Sequence, residues 1–484
     1  MAVQMKPSAV QQYLADYARE IDTAREPIGI VLLNLGGPTT LDDVEPFLYN
    51  LFNDPEIITL PSFVQWLNGP VAWLIAKGRA PSSREGYAAI GGGSPQLSTT
   101  EAQGKALEEA LAARGVAAKS YVAMRYWQPY TSDCLAALKR DGIQRVVVLP
   151  LYPQFSISTS GSSLRLLEKE FYEDPALRQT RNTVIPAWYN CAQVFACCAI
   201  LRNSARNSAR FCAVIRILTR LLLYRYNRQG YINSLSRLIE EKLQKFDDPS
   251  SAHVFFSAHG LPVKYVETLG DPYQTQTEAT VDFCMARLRA LGYTNSHTLA
   301  YQSRLGPVQW LQPYTDEKIR ELGAAGTTKM VVVPVSFVSE HIETLEEIDM
   351  EYAELAAECG VTQWERVPTI GLDGEFIDDL ASAVIEALPK MDEQPLQEIN
   401  EGRPVSLRVV NDLVQLKSKD TLALFDEFGP IRYNAPQRVG FTTRAELING
   451  RIAMVAITAA SALSISQGSF WDRVLDGALP FQFW

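Results

Sequence analysis

Four short apolar runs recur along the chain, and each leads into a loop rich in glycine or proline. They cover residues 28–33, 146–151, 254–256 and 330–335, and stretches with helical periodicity separate them. Strands that are buried on both faces read as such continuous runs, whereas half-exposed strands alternate between apolar and polar residues. The pattern therefore predicts an α/β chain with parallel strands and crossover helices.

The loops that follow these runs form two pairs. NLGGP at 34–38 is similar to AHGLP at 258–262, and the second and fourth runs both have proline as their second-last residue, at 150 and 334. This pairing predicts two similar Rossmann-like halves. Because ligands of such sheets bind beyond the carboxyl ends of the strands, we expect all four loops to face one cleft.

A chain of 484 residues is longer than the usual domain with a single hydrophobic core, so we expect two or more domains. Residues 389–439 are irregular and mixed in charge, which is typical of a linker. The predicted parts are an N-terminal helical extension (1–27), the first half (28–152 with 370–388), the second half (153–369), the linker (389–439), and a C-terminal membrane helix with its tail (440–484).

Residues 191–227 differ from everything around them. They contain six arginines, four of the seven cysteines and no acidic residue, and a Tyr-Asn pair stands at each border, at 189–190 and at 226–227. One interpretation is a basic amphipathic membrane helix. The other is a loop insertion or a translated non-coding stretch at a surface connection, where extra length costs little.

Composition narrows the function classes. A net charge of −10 with 21% charged residues argues against disorder and against nucleic acid as the main partner. The cysteines lack zinc-finger or redox-motif spacing, which indicates a reducing compartment. The first 27 residues have no apolar core and carry acidic residues early, so we expect neither a secretory signal nor a transit peptide there.

Two of the four histidines lie in the strand-end loops. His259 follows the third apolar run and directly precedes Gly260, which lets backbone and ligand approach closely. The loop after the fourth run leads into an acidic segment, where Glu343, Glu347 and Glu351 recur every four residues and form one stripe on a predicted helix. Like charges at this spacing repel, and no Lys or Arg in the segment relieves them.

A divalent cation would relieve this repulsion. Carboxylate and imidazole together suit Fe²⁺ and Zn²⁺. The chain has neither a clustered cysteine set nor an HExxH motif, which argues against a structural or hydrolytic metal site. The metal is therefore interpreted as a passing substrate.

Seven motifs in order resemble those of ferrochelatases, and together they run from residue 28 to about 388, interrupted only by 191–227. They are IVLLNLGGP, YAAIGGGSP, MRYWQP, LPLYPQFSISTSGSS, FFSAHGLP, YQSRLGPVQWLQP and VSFVSEHIETLEEIDMEY. The resemblance implies a chelatase fold with a porphyrin cleft between its halves and insertion of Fe²⁺ into protoporphyrin IX. A coproporphyrin or cobalt chelatase, and a non-catalytic tetrapyrrole or chlorophyll carrier, remain as alternatives.

The resemblance also implies roles for individual residues. His259 matches the active-site imidazole and Glu343 its partner carboxylate, with His341 beside them and Glu347 and Glu351 on an acidic path for iron. The motifs leave open which of the pair accepts the pyrrole protons. We prefer His259, because an imidazole titrates near the working pH.

Other residues of the motifs are expected to hold the porphyrin. Arginine suits carboxylates such as the propionates through its forked donors, and aromatic rings suit the macrocycle faces. The candidates are Arg125, Tyr126, Tyr152, Ser158 and Trp310, although ordinary core packing is an equal interpretation for Trp310.

The last predicted helix carries a second pattern. Glu446, Asn449 and Arg451 stand in an E-x-x-N-G-R-x-A-M arrangement that is similar to the chlorophyll a/b-binding motif of light-harvesting proteins. The resemblance implies that Glu446 and Asn449 ligate chlorophyll and that Glu446 pairs with Arg451 of a second helix. The partner is then another subunit or a one-helix protein. The apolar part at 452–465 is short for a span, so an amphipathic anchor without pigment is the alternative.

This arrangement implies a plastid or cyanobacterial thylakoid membrane, with the catalytic part in the stroma or cytoplasm. The expected substrates are protoporphyrin and ferrous iron, and no resident cofactor is required. No iron–sulfur cluster is expected, because no cysteine follows Cys359.

Overall fold

The structure is a computed structural model. It describes residues 27–55, 57–58, 62–185, 228–304 and 308–392. Most of the predicted N-terminal extension, the insertion at 191–227, the predicted linker from residue 393 onward and the predicted C-terminal helix therefore lie outside the described residues; residues 389–392 continue a helix.

Strands and helices alternate along the described chain. The strands are β1 Ile28–Asn34, β2 Ala118–Met124, β3 Arg145–Pro150, β4 Arg181–Val184, β5 His253–His259, β6 His297–Gln302, β7 Lys329–Pro334 and β8 Gln363–Arg366. The α-helices are α1 Val44–Phe52, α2 Asn68–Ala89, α3 Gln96–Ala112, α4 Thr131–Arg140, α5 Ser162–Glu173, α6 Gln229–Leu243, α7 Val263–Glu267, α8 Tyr273–Ala290, α9 Thr315–Ala324, α10 Tyr352–Glu358 and α11 Gly374–Asp392. Two π-helical segments, Ile157–Gly161 and Glu343–Glu351, follow β3 and β7.

The strands form two four-stranded parallel sheets with the same topology. Their orders are β2-β1-β3-β4 and β6-β5-β7-β8, so the chain repeats one α/β unit, as the paired loops predicted. The apolar runs are the central strands: every residue of β1 is buried, and Leu33 lies opposite Pro150 of β3 in the register. Helices cover both faces of such strands, which explains their continuous apolar sequence.

One hydrophobic core joins the two halves. It contains Leu32 of the first sheet, Phe256 of the second, and residues of α3, α6 and α11. Buried side chains also cross between the halves: the Gln103 amide donates to the carbonyls of Val338 at 3.3 Å and Gly371 at 2.9 Å. These contacts hold the two sheets, and the loops that they carry, in a fixed relation.

The strand pairing places the division between the halves later than residue 152. β4 pairs with β3 in the first sheet, so the chain remains in the first half at least to Val184. The sequence did not indicate this strand, because its four residues, RNTV, form no apolar run. Helix α11 packs against α3, α6 and β4.

Within the described residues, no helix combines the length and the apolar character that crossing a membrane requires.

Candidate active site

A cavity of about 740 Å³ lies where the carboxyl ends of the central strands meet. Its lining includes Leu35 after β1, Tyr152 after β3, Leu261 after β5 and Val338 after β7. All four loops that the sequence singled out therefore face one cavity, as predicted. The sheet topology explains this. The carboxyl ends of parallel strands lie at one edge of a sheet, and a crevice forms there where the strand order reverses.

His259 is the last residue of β5, and its side chain lines this cavity. The following glycine lets the loop lie against strand β6. A Cβ atom added at Gly260 would stand 2.5 Å from the carbonyl oxygen of Gln302, and the Gly260 amide donates to that oxygen at 2.9 Å. Glycine is thus required here for backbone packing, whereas the sequence suggested close approach of a ligand.

The imidazole of His259 and the carboxylate of Glu343 form the central pair of the site. His259 Nδ1 lies 2.7 Å from Glu343 Oε2. Burial opposes charge on both groups, but each supplies the other's counter-charge. The pKa of His259 is therefore raised above its usual value by Glu343 and Glu347, while the pKa of Glu343 is held well below its usual value by His259, His341 and Ser303. Each group therefore favours the charged form of the other.

Glu343 begins a nine-residue π-helical segment that ends at Glu351, where the sequence predicted an α-helix. Glu343, Glu347 and Glu351 all line the cavity, and Glu346 joins them. The prediction of one stripe assumed the 3.6 residues per turn of an α-helix. A π-helix has a wider turn, so this spacing does not repeat in the same way around it.

Ser303 links the first two carboxylates of this segment. Its hydroxyl lies 3.2 Å from Glu343 Oε2 and 2.7 Å from Glu347 Oε2, and its backbone adopts a left-handed φ of 62°. Gln302 also donates to Glu347, at 3.1 Å. Burial and the neighbouring Glu343 raise the pKa of Glu347, so this carboxyl takes up protons more readily than Glu343.

His341 lies on the other side of Glu343. Its Nε2 atom is 4.0 Å from Glu343 Oε1, and the ring of Phe337 packs edge-on against it with centroids 4.2 Å apart. Burial lowers the pKa of His341, and the charge on His259 adds to that effect. The two imidazoles of the site therefore differ: His259 is the more basic and His341 the more easily neutral.

The five residues predicted as metal ligands all line the cavity, but they do not form one coordination group. Across the described ranges, no set of three or more His, Cys, Asp and Glu side chains is arranged to hold a metal ion. Four of the five belong to the segment 341–351, and the fifth, His259, contacts Glu343 of that segment.

Four of the five predicted porphyrin-binding residues line the cavity: Tyr126, Tyr152, Ser158 and Trp310. Arg125 is not among the lining residues. Its guanidinium donates to the carboxylate of Asp54 at 2.7 Å and to the hydroxyl of Ser162 at 2.8 Å. Asp54 is buried, so Arg125 has its charge partner within the protein.

The structure also brings in residues that sequence reasoning did not select. Tyr87, from YAAIGGGSP, is 5% exposed and lines the cavity, and burial together with Glu343 raises its pKa. Arg79 lines the cavity near Phe52, whose ring centre is 5.8 Å from its guanidinium. Helix α2, which carries both Tyr87 and Arg79, also exposes Trp73 and Leu74 to solvent.

Known proteins match this chain over the same region. The ferrochelatase family model matches residues 27–211 and 195–388. Ferrochelatase-2, chloroplastic, from Oryza sativa subsp. indica is 48% identical over 92% of this chain and 76% of its own length. Ferrochelatase-1, chloroplastic/mitochondrial, from Arabidopsis thaliana is 52% identical over 77% of this chain and 72% of its own. The ferrochelatase of Nostoc sp. is 44% identical over 89% of this chain and 94% of its own. The chain belongs to the ferrochelatase family.

Proposed function

We propose that this enzyme inserts Fe²⁺ into protoporphyrin IX and so completes heme biosynthesis. The observation that carries the proposal is the His259–Glu343 pair, 2.7 Å apart on the wall of the cavity between the two halves. Insertion removes two pyrrole N–H protons and replaces them with one divalent cation, so it needs a proton acceptor and an anionic metal guide in one place. The pair offers both.

The charges of the pair suggest how the work is divided. Glu343 remains an anion over the physiological pH range because its pKa is depressed, and a permanent carboxylate attracts Fe²⁺. His259 accepts a pyrrole proton once it is neutral, and an approaching cation at Glu343 weakens the hold of that carboxylate on the imidazolium proton. The Ser303 hydroxyl bonds to both Glu343 and Glu347, so it would connect the two carboxylates during passage of that proton or the metal.

The cavity suits a flat macrocycle. Its volume of about 740 Å³ falls within the range of small-molecule pockets, roughly 300–1,000 Å³. Tyr126 and Tyr152 line the cavity from the first half and Trp310 lines it from the second, so rings from both halves would contact the porphyrin. Binding that bends the ring would point its nitrogen lone pairs toward the metal side.

An insertion assay tests the proposal and its alternatives together. Protoporphyrin and coproporphyrin are each combined with Fe²⁺, Co²⁺ and Mg²⁺, and the metalloporphyrin is followed by absorbance. We expect the highest turnover with protoporphyrin and Fe²⁺. Faster reaction of coproporphyrin or Co²⁺ would reassign the substrate, and porphyrin binding without insertion of any metal would identify a carrier.

We also infer that residues 440–484 carry a chlorophyll-binding membrane helix through Glu446, Asn449 and Arg451. The extent of the matches supports this: the family match ends at residue 388 of 484, so an alignment that covers 92% of the chain must continue past it. The Nostoc alignment continues likewise. A helix with this polar set needs a partner, which is a second copy or a one-helix protein, and it would hold the enzyme at a thylakoid membrane.

A further inference from the structure

A network of charges connects the π-helical segment to strand β8, and none of its members, Glu340, Asp349 and Arg366, lines the cavity. Arg366, the last residue of β8, donates from Nε to Asp349 at 2.6 Å and from Nη1 to the two Glu340 oxygens at 2.9 and 3.1 Å. Glu340 stands three residues before Glu343, and Asp349 lies near the end of the segment. One guanidinium therefore holds both ends of the segment that presents the active-site carboxylates.

The network is well anchored on the protein side. Glu340 also accepts from the Thr344 hydroxyl at 2.6 Å and from the Thr369 amide at 3.0 Å, and only 13% of the Arg366 side chain is exposed. Because the guanidinium and its hydrogen bonds favour the ionised carboxylate, the pKa of Glu340 is lowered although burial opposes this. A charge-assisted pair of this kind is strong and directional.

A nine-residue π-helix needs such a restraint. π-helices mostly occur as single turns within α-helices, and π and α turns contain different numbers of residues. Relaxation of the segment to an α-helix would rotate Glu343 relative to His259 and Glu347 relative to Ser303. We propose that Arg366 is a positioning residue, which keeps this segment in π register so that Glu343 meets His259. Only the expected effect on turnover depends on the proposed function.

The test uses Arg366→Met and Arg366→Lys in the full chain. A misplacement of about 1 Å at a catalytic group can cost about 100-fold in rate, so we expect a loss of that order in kcat for Arg366→Met. Porphyrin affinity, measured by absorbance titration, should be unchanged. Arg366→Lys keeps the positive charge but not the forked guanidinium donors, so it should retain only part of the wild-type rate. Millimolar methylguanidinium should partly restore the rate of Arg366→Ala.

Arg228→Met is the matched control. Arg228 is similarly buried, with 19% of its side chain exposed, and it pairs with Asp379 and Glu386 without lining the cavity. We expect it to lower the melting temperature while kcat per folded molecule stays unchanged. A wild-type kcat in Arg366→Met, or an equal loss of kcat in both variants that follows their melting temperatures, would overturn the proposal.

A second measurement separates this inference from the proposed function. The ring ¹⁵N resonances of His259 report its hydrogen bond to Glu343 at fixed pH, whatever reaction the enzyme performs. We expect Arg366→Met to shift them and Arg228→Met to leave them in place. If the wild-type protein inserted no metal but the shift occurred, the proposed function would fail and the positioning role would stand. Unshifted His259 resonances in Arg366→Met would overturn the positioning role.

Discussion

Replacing Glu343 with glutamine should lower the pKa of His259 and move the onset of iron insertion to lower pH. The two side chains meet through Nδ1 and Oε2 at 2.7 Å, and Glu343 is a principal cause of the raised pKa of His259. Glutamine preserves the size of the side chain and removes its charge. Its effect on His259 is therefore almost purely electrostatic.

The magnitude follows from the distance and the exposure of the pair. Two unit charges about 4 Å apart interact by about 4 kcal/mol at an effective dielectric constant of about 20. The side chains of His259 and Glu343 are 38% and 21% exposed, so solvent screening reduces this value. A remaining effect of about 1.4–3 kcal/mol corresponds to about one to two pKa units.

The direction of the pH dependence follows from both shifts. The pKa of His259 is raised, so the stability that its charged form contributes is present below the usual imidazole value and is lost as the pH rises through the raised value. The pKa of Glu343 is lowered, so its contribution is present above the usual carboxyl value and is lost as the pH falls through the lowered value. Both contributions are therefore complete together only between the usual carboxyl value of 4.5 and the usual imidazole value of 6.5, and the ion pair stabilises the enzyme most in that window.

Turnover has a different requirement, since His259 must be neutral to accept a proton. The rate should rise with pH through the pKa of His259, and in Glu343→Gln this rise should come about one to two units earlier, with a lower plateau because the metal-guiding carboxylate is gone. Histidine ¹⁵N NMR titration and initial rates against pH measure both effects. Glu346→Gln, which removes another cavity carboxylate, is the control. A His259 pKa that is unchanged or higher in Glu343→Gln would refute the reasoning.

Three further predictions concern other parts of the chain. His259→Ala and Glu343→Ala should each abolish insertion while folding and porphyrin binding persist, and turnover above about a tenth of wild type would remove that residue from the mechanism. Deleting 191–227 should preserve folding and activity, measured by circular dichroism and turnover, because the repeated Tyr-Asn pair lets the chain rejoin as WYNRQGYI; loss of folding would show that the segment is integral. Truncation after Asp392, the end of α11, should leave chelation intact and reduce membrane retention and dimerisation. Glu446→Ala in the full chain should likewise reduce dimerisation. The same oligomeric state of full-length and truncated proteins in detergent, with no pigment on either from a photosynthetic host, would contradict the chlorophyll-motif interpretation.

The central strands and the two principal side chains were predictable from the sequence. Strands β1, β3, β5 and β7 are buried on both faces, and that requirement leaves a continuous apolar run. His259 and Glu343 stand in the loops after two of these runs, so their meeting at one sheet edge follows from the topology of parallel strands. Their direct contact could be expected, but its distance and its effect on each pKa could not.

The edge strands and the charge partners depend on the tertiary structure. Strand β8 is only partly buried along its length, so its sequence, QWER, has no apolar run, yet its Arg366 holds the segment that carries Glu343. Arg125 matches a porphyrin-binding motif, but the fold places Asp54 beside it. Apolar periodicity is local and records which side chains are buried. Which charge faces which depends on segments far apart in the chain, and only their packing decides it.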